Sequence, residues 1–155
     1  MDGKFTPVGA HMKVEDLIRS RTEVFSVSED VTVHDVARYL RERQVRAVGV
    51  LNREGKLAGV VSQSDISDKV AAENKCPAWM RVSEIMSTKL ITVPPETHLD
   101  ECVRLMEQNG IYHLPVVDAK AKYQGMISVQ DLLRVIASDE KARADMLESF
   151  LFSPR

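Results

Sequence analysis

Residues 59–66 read GVVSQSDI, and residues 125–132 read GMISVQDL. Both have the form Gly-apolar-apolar-Ser-x-x-Asp-apolar, and they lie 125 − 59 = 66 positions apart. A fixed-period repeat constrains architecture more tightly than local propensity does, because each copy must build the same unit. Shifted by 66, Val33, Val36, Ala37 and Leu40 fall on Leu99, Cys102, Val103 and Met106. Each set is spaced i, i+3, i+4, i+7, the mark of one buried helix face. RAVGVLN at 46–52 falls on YHLPVVD at 112–118, and FSVS at 25–28 falls on ITVP at 91–94. The register runs without a gap from residue 25 to about 137. Upstream of it, a two-residue gap aligns VEDLI at 14–18 with VSEIM at 82–86.

Each copy reads as the same series of elements. A short leading helix (about 14–20, then 81–87) precedes a brief strand (24–27, then 90–93). An amphipathic helix follows (33–43, then 98–109). Two strands come next (46–51 with 57–61, then 112–117 with 123–127), and a helix closes the copy (64–74, then 130–137). Short β-branched strands separated by helices indicate an α/β fold with small mixed sheets. Asn52–Lys56 is a hairpin turn with Gly55 available for positive φ. Ala121 replaces that glycine in the second copy, so its turn is expected to differ. A unit of about 60 residues is marginal alone, and two copies packed with pseudo-two-fold symmetry would bury each other's sheets. The division expected is a leader at 1–11, one repeat at 12–75, a linker at 76–80, a second repeat at 81–138, and a helical extension at 139–155. In the linker, Trp79 is expected to anchor the chain to the core. In the extension, Met146, Leu147, Phe150 and Leu151 have helical spacing and suit either local core or a partner face.

Hydrophobic residues make up 44% of the chain and charged residues 28%, an ordinary soluble globular composition. The net charge of −2 argues against a protein that binds nucleic acid by neutralising phosphates. No apolar run is long enough to span a bilayer. MDGKFTPVGAH at the N-terminus lacks the apolar segment of a secretion signal. The two cysteines, Cys76 and Cys102, show no metal-ligand spacing, which fits a reducing cytoplasm without structural zinc. Neither a nucleophile–base pair nor a metal cluster is legible, so no catalytic and no metal residues are assigned and the chain is not expected to be an enzyme.

The duplicated phrase has two readings. Serine and aspartate where a strand gives way to a helix are good N-capping residues, and an acid there complements the helix dipole. The same geometry also suits a nucleotide: a helix N-terminus beside a hydroxyl attracts anions, an outward aspartate can accept two hydrogen bonds from a ribose diol, and glycine lets a flat base approach.

Taken together in register, the two G-h-h-S-x-x-D-h phrases, Ile91-Thr-Val-Pro94, the strand YHLPVVD at 112–118 and the tandem arrangement resemble CBS domains, paired in one chain as a Bateman module. The resemblance covers residues 13–137. It implies a βαββα unit in each copy and clefts that bind adenosine derivatives such as AMP, ADP, ATP or S-adenosylmethionine as regulatory ligands, with no cofactor required. It also implies a homodimer and an effector protein reached in trans. Carried over by position, Asp65 and Asp131 match the ribose-binding aspartate, and Ser62 and Ser128 the small polar residue near the phosphate. Ser26 and Thr92 match the polar residue of the first strand. Arg46, Tyr112 and His113 lie at the strand start from which basic residues reach phosphate. The alternative expectation is a structural dimerisation module with no ligand.

Overall fold

The computed structural model describes residues 12–137, 144 and 147–151. Its elements follow the repeat: α1 (Val14–Arg19), β1 (Ser26–Ser28), α2 (Val33–Arg43), β2 (Ala47–Leu51), β3 (Leu57–Ser62), α3 (Gln63–Ile66), α4 (Leu99–Asn109), β4 (His113–Val117), β5 (Tyr123–Ser128) and α5 (Val129–Ile136). The fold is mixed α/β with two small sheets. In the first, β1 runs parallel to β2 and β2 antiparallel to β3; in the second, β4 pairs antiparallel with β5. No helix of the described residues is long and apolar enough to cross a membrane.

The helix periodicity lands where the spacing predicts. Val33, Val36 and Leu40 are buried in one core, and Leu99, Cys102 and Met106 in the other. Thr32 caps α2 by accepting a hydrogen bond from the Asp35 amide, and Gly110 ends α4 in a left-handed conformation, where the absence of Cβ removes the strain.

The cores do not follow the order of the chain. Val14, with Met12, Leu17 and Ile18, packs into the core of the second copy beside Val93, Leu99 and Leu132. Val82 and Ile85, with Met80 and Met86, pack into the core of the first. Backbone hydrogen bonds fix both exchanges: Val14 N–H to the Thr97 carbonyl (2.9 Å) and Leu99 N–H to the Met12 carbonyl (3.0 Å), then Val82 N–H to the Val31 carbonyl (2.9 Å) and Val33 N–H to the Met80 carbonyl (2.8 Å). A fully buried valine contributes about 1.5–3 kcal/mol, so each copy depends on the other's leading segment.

Several local expectations are corrected. The strand expected at 90–93 is reduced to one parallel bridge, Val93 to Val116. Val93 N–H reaches the Pro115 carbonyl and Val117 N–H the Val93 carbonyl, both at 3.0 Å. The next bonds in either direction would need amide hydrogens on Pro95 and Pro115, and proline has none. The leading helix expected at 81–87 is a 3-10 turn over Val82–Glu84. Beyond it the chain turns aside to pair Ser87 with Val60. The closing helix of the first copy is α only over Gln63–Ile66 and continues as a π-helix over Ser67–Ala71.

The second hairpin does not differ from the first. Ala121 adopts φ +62° where Gly55 has +79°. Asp118 Oδ1 accepts from the Lys120 and Lys122 amides (2.9 Å each), as Asn52 Oδ1 accepts from Glu54 and Lys56 (3.0 Å each). The side-chain clamp on the loop offsets the cost of an alanine in a conformation that favours glycine. Trp79 does not anchor the linker. It is 86% exposed on a 3-10 turn over Pro77–Trp79, and the neighbouring Met80 supplies the core contact. In the extension Leu147 and Leu151 are exposed and Phe150 is half-buried; Met146 lies outside the described residues.

The two sheets meet through Tyr123. Its hydroxyl accepts from the Gly49 amide at 3.2 Å, and its ring lies over Gly49 so closely that a Cβ there would stand 2.6 Å from Cζ. Gly49→Ala should therefore cost about 1–3 kcal/mol, the usual scale for overpacking. The cost should shrink in a Tyr123→Leu background, since the first copy has Leu57 at the matching position; a double-mutant cycle by chemical denaturation checks this. The thiols give a second check on the cores. Burial, with the charges of Glu101 and Asp100 adding to it, pushes the Cys102 thiol up to about 12. A thiol reagent should modify exposed Cys76 quickly in the native protein and reach Cys102 only on global unfolding.

Candidate ligand cleft

Both copies of the Ser-x-x-Asp phrase form the same cap. In the second, Ser128 Oγ accepts from the Asp131 amide at 3.2 Å, while Asp131 Oδ2 accepts from the Ser128 amide at 2.8 Å and from its hydroxyl at 2.9 Å. In the first, the corresponding distances are 3.3, 2.9 and 3.1 Å for Ser62 and Asp65. These are reciprocal capping boxes that satisfy orphan amides at the helix start. Each cap engages one carboxylate oxygen, Oδ2, and takes no bond from Oδ1.

The surroundings of the two caps differ. Asp131 lies on the wall of a cleft of about 650 Å³. Arg46, Tyr112, His113, Ser128 and Asp131, all selected from the sequence, line it together. Val24, Phe25, Val45, Ala47, Met126 and Val129 give it apolar surface, and Gly125 keeps β5 bare at this point with φ +135°. Phe25 is held by an edge-to-face contact with Tyr39, whose ring carries the Arg43 guanidinium 3.6 Å from its centroid.

The other sequence-selected residues lie outside this cleft. Ser26 is in β1, its amide donating to the Tyr39 hydroxyl at 3.1 Å. Thr92 is exposed beside the Val93 bridge. Ser62 and Asp65 occupy the position related by the repeat, where the chain packs on itself. Ser87 pairs with Val60 through amide–carbonyl bonds of 2.9 and 3.0 Å. The Met86 side chain lies against Gly59, so that a Cβ there would be 2.6 Å from Sδ. Lys69 Nζ bridges Asp65 Oδ1 (3.0 Å) and the Ile85 carbonyl (2.8 Å).

Charge in the cleft comes from Arg21, Arg46 and Arg134 against Glu23 and Asp131. Burial lowers the His113 pKa, with the Asp131 charge opposing the shift and Arg46 reinforcing it. Asp131 Oδ2 is 3.0 Å from Arg21 Nη2, and Oδ1 is 3.9 Å from Arg134 Nη1. Sequence reasoning did not select Arg21 or Arg134, nor the segment 20–25 that forms one rim. The signal for the rim was the gap in the repeat: six residues, 19–24, separate Ile18 from Phe25, whereas four, 87–90, separate Met86 from Ile91.

The chain resembles known proteins in sequence and fold. The CBS domain family profile matches the chain twice, over residues 14–72 and 82–138. The protein MK0525 of Methanopyrus kandleri is 32% identical over 116 residues, which cover 75% of this chain and 59% of that protein. The mitochondrial CBS domain-containing protein CBSX3 of Arabidopsis thaliana is 29% identical over 126 residues, covering 79% and 61% respectively. The chain thus spans about three-fifths of the length of these two relatives. Among solved structures, the CBS domain pair of protein MJ0100, crystallised with 5′-methylthioadenosine and S-adenosyl-L-methionine, superposes with a TM-score of 0.74 at 23% identity, covering 83% of this chain and 98% of that one. With both repeats matched over the residues that build the two cores, the chain belongs to the CBS domain family as a tandem pair.

Proposed function

We propose that the protein is a non-enzymatic regulatory module that binds an adenosine-containing ligand in the cleft between β5–α5 and the segment preceding β1. The observation that carries this reading is Asp131. Its carboxylate lines the cleft and is held through Oδ2 by the capping box at a helix start, with an apolar wall at hand for a base and guanidinium groups within the same cleft. A vicinal diol matches a carboxylate that can accept at both oxygens. The adenosine ligands crystallised with the MJ0100 pair support the choice of ligand.

The module takes one ligand per chain in this reading, because Met86 and Ser87 fill the counterpart beside Asp65. A ligand passes information by binding two states unequally. Segment 20–25 connects α1, packed in one core, with β1, packed in the other, so it is placed to carry such a difference to an effector in trans. The module acts as a homodimer; Leu133 on α5, together with Leu147 and Leu151, supplies exposed apolar surface for the contact.

Calorimetry should give one site per chain for adenine nucleotides and weaker binding for guanine nucleotides. A ligand at about 100 times its Kd should raise stability by about 2.7 kcal/mol. Asp131→Ala should weaken binding about ten- to a hundred-fold, the worth of charge-assisted hydrogen bonds of about 1.5–3 kcal/mol. Asp65→Ala should cost about 0.5–2 kcal/mol of stability through the lost cap and leave affinity unchanged. No heat and no melting shift with AMP, ADP, ATP or S-adenosylmethionine at millimolar concentration would overturn the proposal. Light scattering at high micromolar concentration should report twice the chain mass, and a monomer there would remove the dimer from it.

A further inference from the structure

Arg21, on the wall of the cleft, is tied to the strand and helix that form it. Its Nη1 donates to the Met126 carbonyl at 2.6 Å and its Nη2 to Asp131 Oδ2 at 3.0 Å. Gly125 lies beneath it, the position of a Cβ there being 3.5 Å from Nη1. The counterpart of Met126 in the first copy is Val60, since 126 − 60 = 66. The Val60 carbonyl accepts instead from the Ser87 backbone amide at 2.9 Å. In the shorter segment the main chain itself occupies the groove. In the segment two residues longer, a side chain does the same work, and a side chain can leave by rotation.

The exchange has a direct consequence for Asp131. Oδ2 already accepts from the Ser128 amide and hydroxyl, and Arg21 is its third donor. A diol that engages both oxygens therefore displaces the guanidinium. An uncharged riboside breaks this charge-assisted pair and offers Arg21 nothing in return. A phosphorylated ligand offers an anion, and a guanidinium pairs with phosphate oxygens through two parallel donors. Arg46 and Arg134 line the same cleft. Among the described residues Arg46 forms no ion pair, and Arg134 reaches Asp131 only at 3.9 Å. Against them stand Glu23 and Asp131. A sulfonium ligand would bring positive charge to a site that must first release a cation.

We infer that Arg21 is the specificity-determining residue of this cleft, a latch on Asp131 that ligand phosphate releases, so that the site selects phosphorylated adenosine ligands over uncharged ribosides and sulfonium compounds. This rests on the placement of a ribose diol at Asp131 proposed above. It differs from that proposal in assigning opposite effects to one substitution.

The experiment is calorimetry on the full chain with ATP and with adenosine, for the wild type, Arg21→Ala and Arg21→Gln. Removing the guanidinium should weaken ATP binding by about ten-fold or more, on the scale of a lost charge-assisted hydrogen bond. It should strengthen adenosine binding, because the carboxylate is then open. Arg21→Gln should move both affinities in the same directions, which guards against a folding defect peculiar to the alanine variant. If the wild type binds and Asp131→Ala weakens binding as expected, but neither Arg21 variant changes the ATP-to-adenosine affinity ratio, the latch is overturned and the site stands. A loss of equal size for both ligands also overturns it. If the wild type binds neither ATP nor adenosine, the latch is overturned, and the ligand site falls with it only if AMP, ADP and S-adenosylmethionine also give no heat.

Discussion

Val14 is wholly buried in the core of the repeat that it does not precede, and Val82 in the core of the other. Everything else in the arrangement depends on this exchange. A unit of about 60 residues buries so little apolar surface that it is marginal alone. Here each unit is completed by a segment from its neighbour, tied by amide–carbonyl bonds at Thr97 and Val31. The pair is thus one folding unit with two centres. The segments that cross between the centres, 20–25 and 86–91, pass beside the capped ends of α5 and α3 respectively. The cleft lies where it does because a chain leaving one core for the other must run across the end of a helix.

Symmetry in the backbone is broken by a handful of side chains. Tyr123 covers Gly49 and takes its amide, whereas the matching pair in the repeat is Leu57 and Pro115. Pro95 and Pro115 cut the second parallel ladder to one bridge while the first keeps three residue pairs. Two extra residues before β1 put the Arg21 side chain where the other copy places the Ser87 main chain. Each difference is small in sequence, and each acts at the interface of the copies or at a helix end. Duplication therefore leaves one helix end open as a cleft and the other covered by its own chain.

The repeated serine and aspartate serve stability in both copies. Their reciprocal hydrogen bonds are nearly equal in length, so the helix start itself does not distinguish a ligand site from a structural cap. What distinguishes them is the partner of the carboxylate: Lys69 from the same helix at Asp65, and Arg21 from across the cleft at Asp131. A local cation four residues along belongs to the helix; one that arrives from 110 positions away belongs to the tertiary arrangement.

The repeat, the buried faces of α2 and α4, the hairpins and the Ser-x-x-Asp caps were legible in the sequence because each is set by spacing within a few residues. Periodicity of 3.6 fixes which side chains share a helix face, and a cap needs only three positions. Asp131 and Ser128 were legible from the duplicated phrase, and Arg46, Tyr112 and His113 only through the resemblance to CBS domains at the strand start; the structure brings the five into one cleft. The exchange of Val14 and Val82 was not legible, since either core would accept a valine and only the path of the chain assigns it. Nor was the exposure of Trp79 on the turn that Pro77 begins, which an aromatic's hydrophobicity argues against. Which cap faces an open cleft was decided by tertiary structure alone. It turns on whether a backbone or a side chain reaches one carbonyl on the last strand of each repeat, a contact between segments about 27 positions apart in one copy and about 105 in the other, and no local pattern encodes a distance of that kind.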